Sequence, residues 1–126
     1  MSLRREGGEK APIEAEIQRD ILLEAPQLGC RLLRNNIGKF EDKTGRWVTY
    51  GVGGNGGADL IGWTEVRCSA VFTAIEVKRR GKKPTAEQLN FIRAVQLAGG
   101  VAAICYSVND FRDAIHGYRS RSANNR

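Results

Sequence analysis

Val71-Phe72-Thr73-Ala74-Ile75-Glu76-Val77-Lys78 is an apolar stretch that ends in an acid and a lysine. β-branched and aromatic residues dominate it, so the spacing predicts a strand over Ala70–Val77. Side chains alternate between the faces of a strand. Phe72, Ala74, Glu76 and Lys78 therefore share one face, and Val71, Thr73, Ile75 and Val77 take the other. Taken alone, Glu-x-Lys reads equally as an ion pair at an exposed strand end.

The surroundings place this strand in a sheet. Upstream, Ile13, Ile17 and Ile21 recur at helical spacing behind Pro12, a helix expected to end near Ala25-Pro26. Cys30–Arg34 reads as a strand, Trp47–Tyr50 as a short one, and Ala58–Trp63 as another. Downstream, Thr85 and Gln88 have the spacing of a capping box opening a second helix, which Gly99-Gly100 stops. Val101–Tyr106 is a further apolar strand, and Ser107 to Asp110 starts a short last helix. A helical crossover between two strands of one sheet makes them parallel, so Ala70–Val77 and Val101–Tyr106 are expected to run the same way. The fold class is α/β, with a small mixed sheet flanked by helices. Residues 1–11 read as a flexible polar and basic N-terminus, 12–117 as one domain and 118–126 as a flexible Arg/Ser-rich tail.

The 126 residues carry 20 Lys+Arg against 14 Asp+Glu, a net charge of +6. That excess favours an anionic partner without identifying one. No apolar run approaches a membrane span, and no signal peptide opens the chain, which points to the cytoplasm. Cys30, Cys68 and Cys105 are odd in number and widely spaced, and read as reduced core cysteines rather than a disulfide or zinc framework.

Three acids stand where chemistry is possible. Asp59 follows a glycine run inside Ala58-Asp59-Leu60-Ile61, where turn chemistry is its ordinary role. If its strand lies beside that of Glu76 and runs antiparallel to it, the two carboxylates converge. Paired carboxylates plus water suit Mg²⁺, and a lysine beside such an ion can act at an attacking water. On the first helix, Glu14 lies on the Ile17/Ile21 side, and Glu16 points roughly 100° away from Ile17. Both also suit the helix dipole, and the choice between them stays open. Gln18 borders the same face. The glycine-rich Gly51–Gly57 contains G-x-G-x-x-G but leads into a strand, so it is no dinucleotide fingerprint. It reads as a flexible loop that lets a phosphate backbone approach. Lys78, Arg79, Arg80, Lys82 and Lys83 fill five of six positions, either a solvated turn or phosphate contacts. Gln88 is accounted for by the capping box, and His116, the single histidine, lies near a helix end.

In this order, the first-helix acid, Gly-x-x-Asp59-Leu60-Ile61, Ile75-Glu76-Val77-Lys78-Arg79 and the downstream Gln88 resemble the PD-(D/E)XK nuclease superfamily. Ile75–Arg79 with Thr85-x-x-Gln88 is similar to the small stand-alone VRR-NUC proteins of bacteria and their phages. Gly29–Arg34 after the first helix is similar to the archaeal Holliday-junction resolvases. Ala58 stands where the superfamily name has proline, a departure confined to the turn. The resemblance implies a restriction-endonuclease-like αβββαβ core and a Mg²⁺- or Mn²⁺-dependent endonuclease selective for branched or four-way DNA. It further implies a homodimer, encoded by a bacterium or phage. It assigns Asp59, Glu76 and the Val77 carbonyl to the metal, Lys78 to the nucleophilic water and Glu14 to the acidic cluster. Gln18 and Gln88 become supporting residues, and Arg34, Arg79, Arg80, Lys82 and Lys83 become DNA contacts. Two alternatives share the same residues: a basic nucleic-acid-binding module without catalysis, and a sequence-specific restriction-type enzyme. No target-reading helix or added domain is visible in the sequence, which favours recognition of structure.

Overall fold

The computed structural model describes residues 11–124. The expected flexible segment 1–11 lies outside them except for Ala11. Helix α1 (Glu14–Glu24) passes through a 3₁₀ turn (Ala25–Leu28) to Gly29, whose φ of +74° turns the chain into β1 (Cys30–Arg34). Strands β2 (Gly38–Glu41) and β3 (Trp47–Tyr50) come next, then β4 (Leu60–Val66) and β5 (Ser69–Val77). Helix α2 (Ala86–Leu97), strand β6 (Val101–Cys105) and helix α3 (Val108–Asn124) complete the order.

The main sheet has four strands in the order β1-β4-β5-β6, and β2 pairs with β3 in a separate two-stranded sheet. β1 with β4 and β4 with β5 are antiparallel, whereas β5 and β6 are parallel, with Glu76 opposite Ile104. The mixed α/β sheet flanked by helices is thus present, and it is compatible with a restriction-endonuclease-like core.

The two sheet faces are covered unequally. α1 and α3 bury one face: Ile17, Ile21, Phe111 and Ile115 pack on Leu32, Leu60, Ile75, Val77 and Val101. On the other face α2 lies over Ala58, Ala74 and Ala102, where small side chains let Ile92 and Phe91 approach closely. The rest of that face, Leu33, Trp63 and Phe72, stays exposed. Inside the first layer the Thr64 and Thr73 hydroxyls bond at 2.6 Å, and Thr73 donates to the Val71 carbonyl at 3.0 Å, so these buried polar groups are satisfied.

Gly62 sits opposite Leu32 in the β1–β4 pair, where a Cβ would overlap the Arg31 carbonyl. Neither backbone can retreat without breaking the ladder. Gly62→Ala is therefore expected to cost about 3 kcal/mol by overpacking, read as a Tm lower by roughly 10 °C. An unchanged melting curve would contradict this register.

Several expectations need correction. β2 was not anticipated, because its four residues show no apolar alternation and are mostly exposed. The strand expected at Ala58–Trp63 begins at Leu60 and runs to Val66, leaving Ala58 and Asp59 just before it. Cys68 is not a core residue: it is exposed in the two-residue β4–β5 turn, where Arg67 and Cys68 have φ of +50° and +66°. Such a pair of positive φ values matches the twist of a tight hairpin. The last helix is not short, since residues 118–124, expected in a tail, continue α3. Its end is tied down by Tyr118 Oη to the Gly99 carbonyl (2.8 Å), Arg119 to the Glu65 carbonyl (2.8 Å) and Arg67 to Ser122 (2.7 Å).

Candidate active site at one end of the sheet

The C-terminal end of β5, the entry to β4 and the first turn of α1 meet at one end of the sheet. Asp59 Oδ2 accepts the Val77 N–H at 2.8 Å, so the carboxylate just before β4 is held against the last residue of β5. Glu14 Oε2 accepts the Arg79 N–H at 3.3 Å, bringing α1 to the same place. Glu16 turns back instead, accepting the Ile13 N–H at 3.1 Å in the opening turn of its own helix. The helix face shared by Glu14 and Ile17 is the one that meets the sheet.

Glu76 is the unusual member. It is only 2 % exposed. Its Oε2 lies 3.7 Å from Lys78 Nζ. Its Oε1, alone among buried side-chain polar atoms of the described residues, has no hydrogen-bond partner. Burial pushes the Glu76 carboxyl up to about 8; the Asp59 charge adds to this, Lys78 opposes it, and a hydrogen bond between the Glu76 and Asp59 carboxyls raises it further. Asp59 is also raised, first by burial, against the lowering effect of its bond from the Val77 N–H. Glu14 contributes negative charge to both. Two carboxyls this close are held together by keeping one of them neutral, and a cation between them would let both ionise.

The donor set is hard oxygen: two carboxylates a β-ladder apart, with a third acid at the rim. Among the described residues no three His, Cys, Asp or Glu side chains close into a ready-made metal cage. An open set of two carboxylates and a backbone carbonyl still fits an ion that keeps several of its waters, as Mg²⁺ does. The orphaned Glu76 Oε1 is the observation in favour of that fit.

The remaining candidates fall into three places. Gln18 and Arg34 face each other beside the site, with Arg34 Nη1 donating to Gln18 Oε1 at 2.7 Å. Arg79, Arg80, Lys82 and Lys83 lie exposed on the turn after Lys78. The Tyr106 hydroxyl anchors that turn by donating to the Lys82 carbonyl at 3.1 Å. Gln88 closes the α2 capping box in both directions: its Oε1 accepts the Thr85 N–H at 2.9 Å, and its N–H donates to Thr85 Oγ1 at 3.1 Å.

The glycine-rich segment is packed rather than open. Gly53 and Gly56 have φ near +90°. Added Cβ atoms there would meet Phe91 at 2.8 Å and Glu87 at 2.6 Å. The glycines serve the close seating of the loop on α2.

Sequence reasoning missed Asn35. Its backbone N–H donates to the Asp59 carbonyl at 2.8 Å. Its amide donates to the Val52 and Ala58 carbonyls at 2.8 and 2.9 Å, and its Oδ1 accepts the Val52 N–H at 3.0 Å. One side chain thereby pins the loop to the entry of β4 and sets where Asp59 stands. The signal available in sequence was only a turn-rich Asn35-Asn36 pair.

The acids lie at the end of the sheet where β5 leads into the exposed basic turn. A cavity of about 390 Å³ lies at the opposite end of β4, lined by Gly29, Arg31, Trp63, Glu65 and Ser69 among others, and contains none of these acids. An exposed basic turn beside the acids suits a polymer whose phosphates lie across it.

Residues 14–109 match the VRR-NUC domain family, three-quarters of the chain and every element that builds the site. No curated protein and no solved structure matches the chain.

Proposed function

The chain belongs to the VRR-NUC domain family, a family of nuclease type, and from that premise we propose a Mg²⁺- or Mn²⁺-dependent endodeoxyribonuclease that hydrolyses phosphodiester bonds in branched DNA. The observation that carries the reading is Glu76, a buried carboxyl whose Oε1 meets no N–H or O–H donor, paired with the Asp59 carboxyl and 3.7 Å from Lys78 Nζ.

In this reading Asp59, Glu76 and the Val77 carbonyl hold the ion. A divalent cation bound there supplies Lewis-acid polarisation of the scissile phosphate. Lys78 orients the attacking water and offsets charge on the phosphate, held in place because its N–H continues the ladder to the Cys105 carbonyl at 3.0 Å. Glu14 adds a third carboxylate at the rim. Arg79, Arg80, Lys82, Lys83 and Arg34 contact neighbouring phosphates. Gln18 holds Arg34 in position, and Gln88 supports the site with its remaining N–H donors. The reaction takes place where DNA is, in the cytoplasm of a bacterial or phage-infected cell. Among the described residues no helix is long and apolar enough to cross a membrane.

A cleavage panel of four-way, flapped and linear DNAs, each with Mg²⁺ and Mn²⁺, tests the assignment. Nicking of branched DNA is expected. Binding without any cleavage would favour the module reading, and sequence-specific cuts in linear duplex the restriction-type reading.

The reading includes a homodimer, supported by the half of one sheet face that no helix covers. Leu33, Trp63 and Phe72 are exposed there, three large apolar side chains on one sheet face. Sedimentation is expected to show a dimer for the native chain and a monomer for Trp63→Ser; a monomeric native chain would remove this part.

A further inference from the structure

We propose that the β2–β3 hairpin is a stacking finger that takes up unpaired bases of the DNA lying across the candidate site. The inference rests on the nuclease reading and extends it to the features that mark a branch point.

The first observation is that the sheet does not need this segment. Arg34 and Leu60 are direct partners in the β1–β4 pair, and two antiparallel neighbours can be joined by a two-residue turn. The chain instead makes an excursion over residues 35–59, longer than connections without a task of their own.

The second is that the excursion adds little to the core beyond Ala58, just before β4. Its tip is the hairpin, where Phe40, Trp47 and Tyr50 are 50 %, 66 % and 49 % exposed. Phe40 and Tyr50 share one face, with ring centroids 6.4 Å apart, and the pairing of Trp47 with Glu41 puts it on the other. Three large exposed aromatics on one small element are a recognition surface rather than ordinary scatter.

The third is that the hairpin is held in shape. Asp42 Oδ1 accepts the Thr44 N–H and the Arg46 N–H, each at 2.9 Å, and the Thr44 hydroxyl at 2.7 Å, closing the turn. Tyr50 lies across Gly38, where a Cβ would collide with the ring. Rigid aromatics lose little entropy on binding.

The fourth is position and charge. Asn35 ties the base of the excursion to Asp59, so the finger rises beside the carboxylates. Lys39 and Lys43 are exposed on it. Aromatics interleaved with lysines match a nucleic acid strand. A paired duplex keeps its base faces stacked and hidden. The finger therefore adds affinity only where bases are already unstacked, at forks, flaps and junction crossings.

Fluorescence anisotropy with labelled oligonucleotides, in EDTA so that nothing is cut, tests the proposal. The probes are a blunt duplex and the same duplex carrying a single-stranded arm. For Trp47→Ala, affinity for the armed duplex is expected to fall about 10-fold, with the blunt duplex changed less than about twofold. Trp47→Phe should restore most of the loss, and the Tm should stay at the native value because the finger buries no core. Equal losses on both probes, or none on either, would overturn the finger and leave the nuclease reading standing if Lys78-dependent cleavage persists. A change in sedimentation without a change in DNA affinity would overturn it in favour of self-association. Failure of the native chain to bind either probe would overturn the finger and the nuclease reading together.

Discussion

Lys78→Ala is expected to lower metal-supported DNA cleavage by about 10³-fold while DNA affinity stays within about twofold. The expectation follows from its place: Lys78 Nζ is 3.7 Å from Glu76 Oε2 with its side chain mostly buried, so it serves the site and not the phosphate-binding surface. The exposed lysines of the following turn should behave in the opposite way, weakening binding and its salt dependence with less effect on the cleavage step. Asp59→Ala and Glu76→Ala should match the loss seen for Lys78→Ala, because removing members of one working unit is not additive. Asp59→Asn separates structure from charge. An amide oxygen can still accept the Val77 N–H, so the fold should survive while cleavage does not. Single-turnover rates on a nicked-product gel, with affinity measured in parallel, decide the matter. Full cleavage by all three alanine variants would remove the proposed chemistry.

Glu76→Gln is expected to stabilise the metal-free protein at pH 8 by about 2 kcal/mol, a Tm higher by roughly 5–10 °C. The carboxyl is pushed up to about 8 in the fold from 4.5. A carboxyl raised in this way favours folding at acid pH, where it is neutral in both states. Its contribution is complete below about 4.5 and is lost as the pH climbs through about 8. Asp59 is raised for the same reason and adds to the same trend. The native chain should therefore lose stability from pH 5 to pH 8, and Glu76→Gln should flatten that slope. Added Mg²⁺ or Mn²⁺ should raise the native Tm at pH 8, because an ion that binds only the folded state stabilises it; the variant should respond far less. Parallel pH profiles for the two proteins would show that Glu76 is not held as a strained acid.

Much of this site could be read from residue order. The helical period placed Glu14 on the face of Ile17 and Ile21, and that face meets the sheet; the choice between Glu14 and Glu16 was open in the sequence, and the contacts Glu14 to Arg79 and Glu16 to Ile13 are what distinguish the two. Strand alternation put Glu76 on the face with Ala74 and left Val77 to the core, as found. Gln88 shows the limit of such reading. Its capping role was legible from Thr85 and is fully formed, and local spacing carries no information about what its second amide group meets. The extension of α3 was not legible. Arg119, Arg121 and the serines look like a soluble tail. Only contacts distant in the chain, such as Arg119 with the Glu65 carbonyl, make them part of a helix that packs.

The α/β class, the strand that carries Glu76 and Lys78, and the helix face that carries Glu14 follow from residue order alone. These depend on periodicity within a few neighbouring residues. Only the tertiary structure decided that Glu76 is buried with one oxygen unpartnered, that Asn35 and Val77 fix Asp59, and that β2 exists. Each of those depends on a partner strand or loop far along the chain: the Asp59 bond to Val77 spans 18 positions and the Glu14 bond to Arg79 spans 65. Local patterning sets which way a side chain points. What it meets there is set by pairings whose register arises only once the whole sheet has closed.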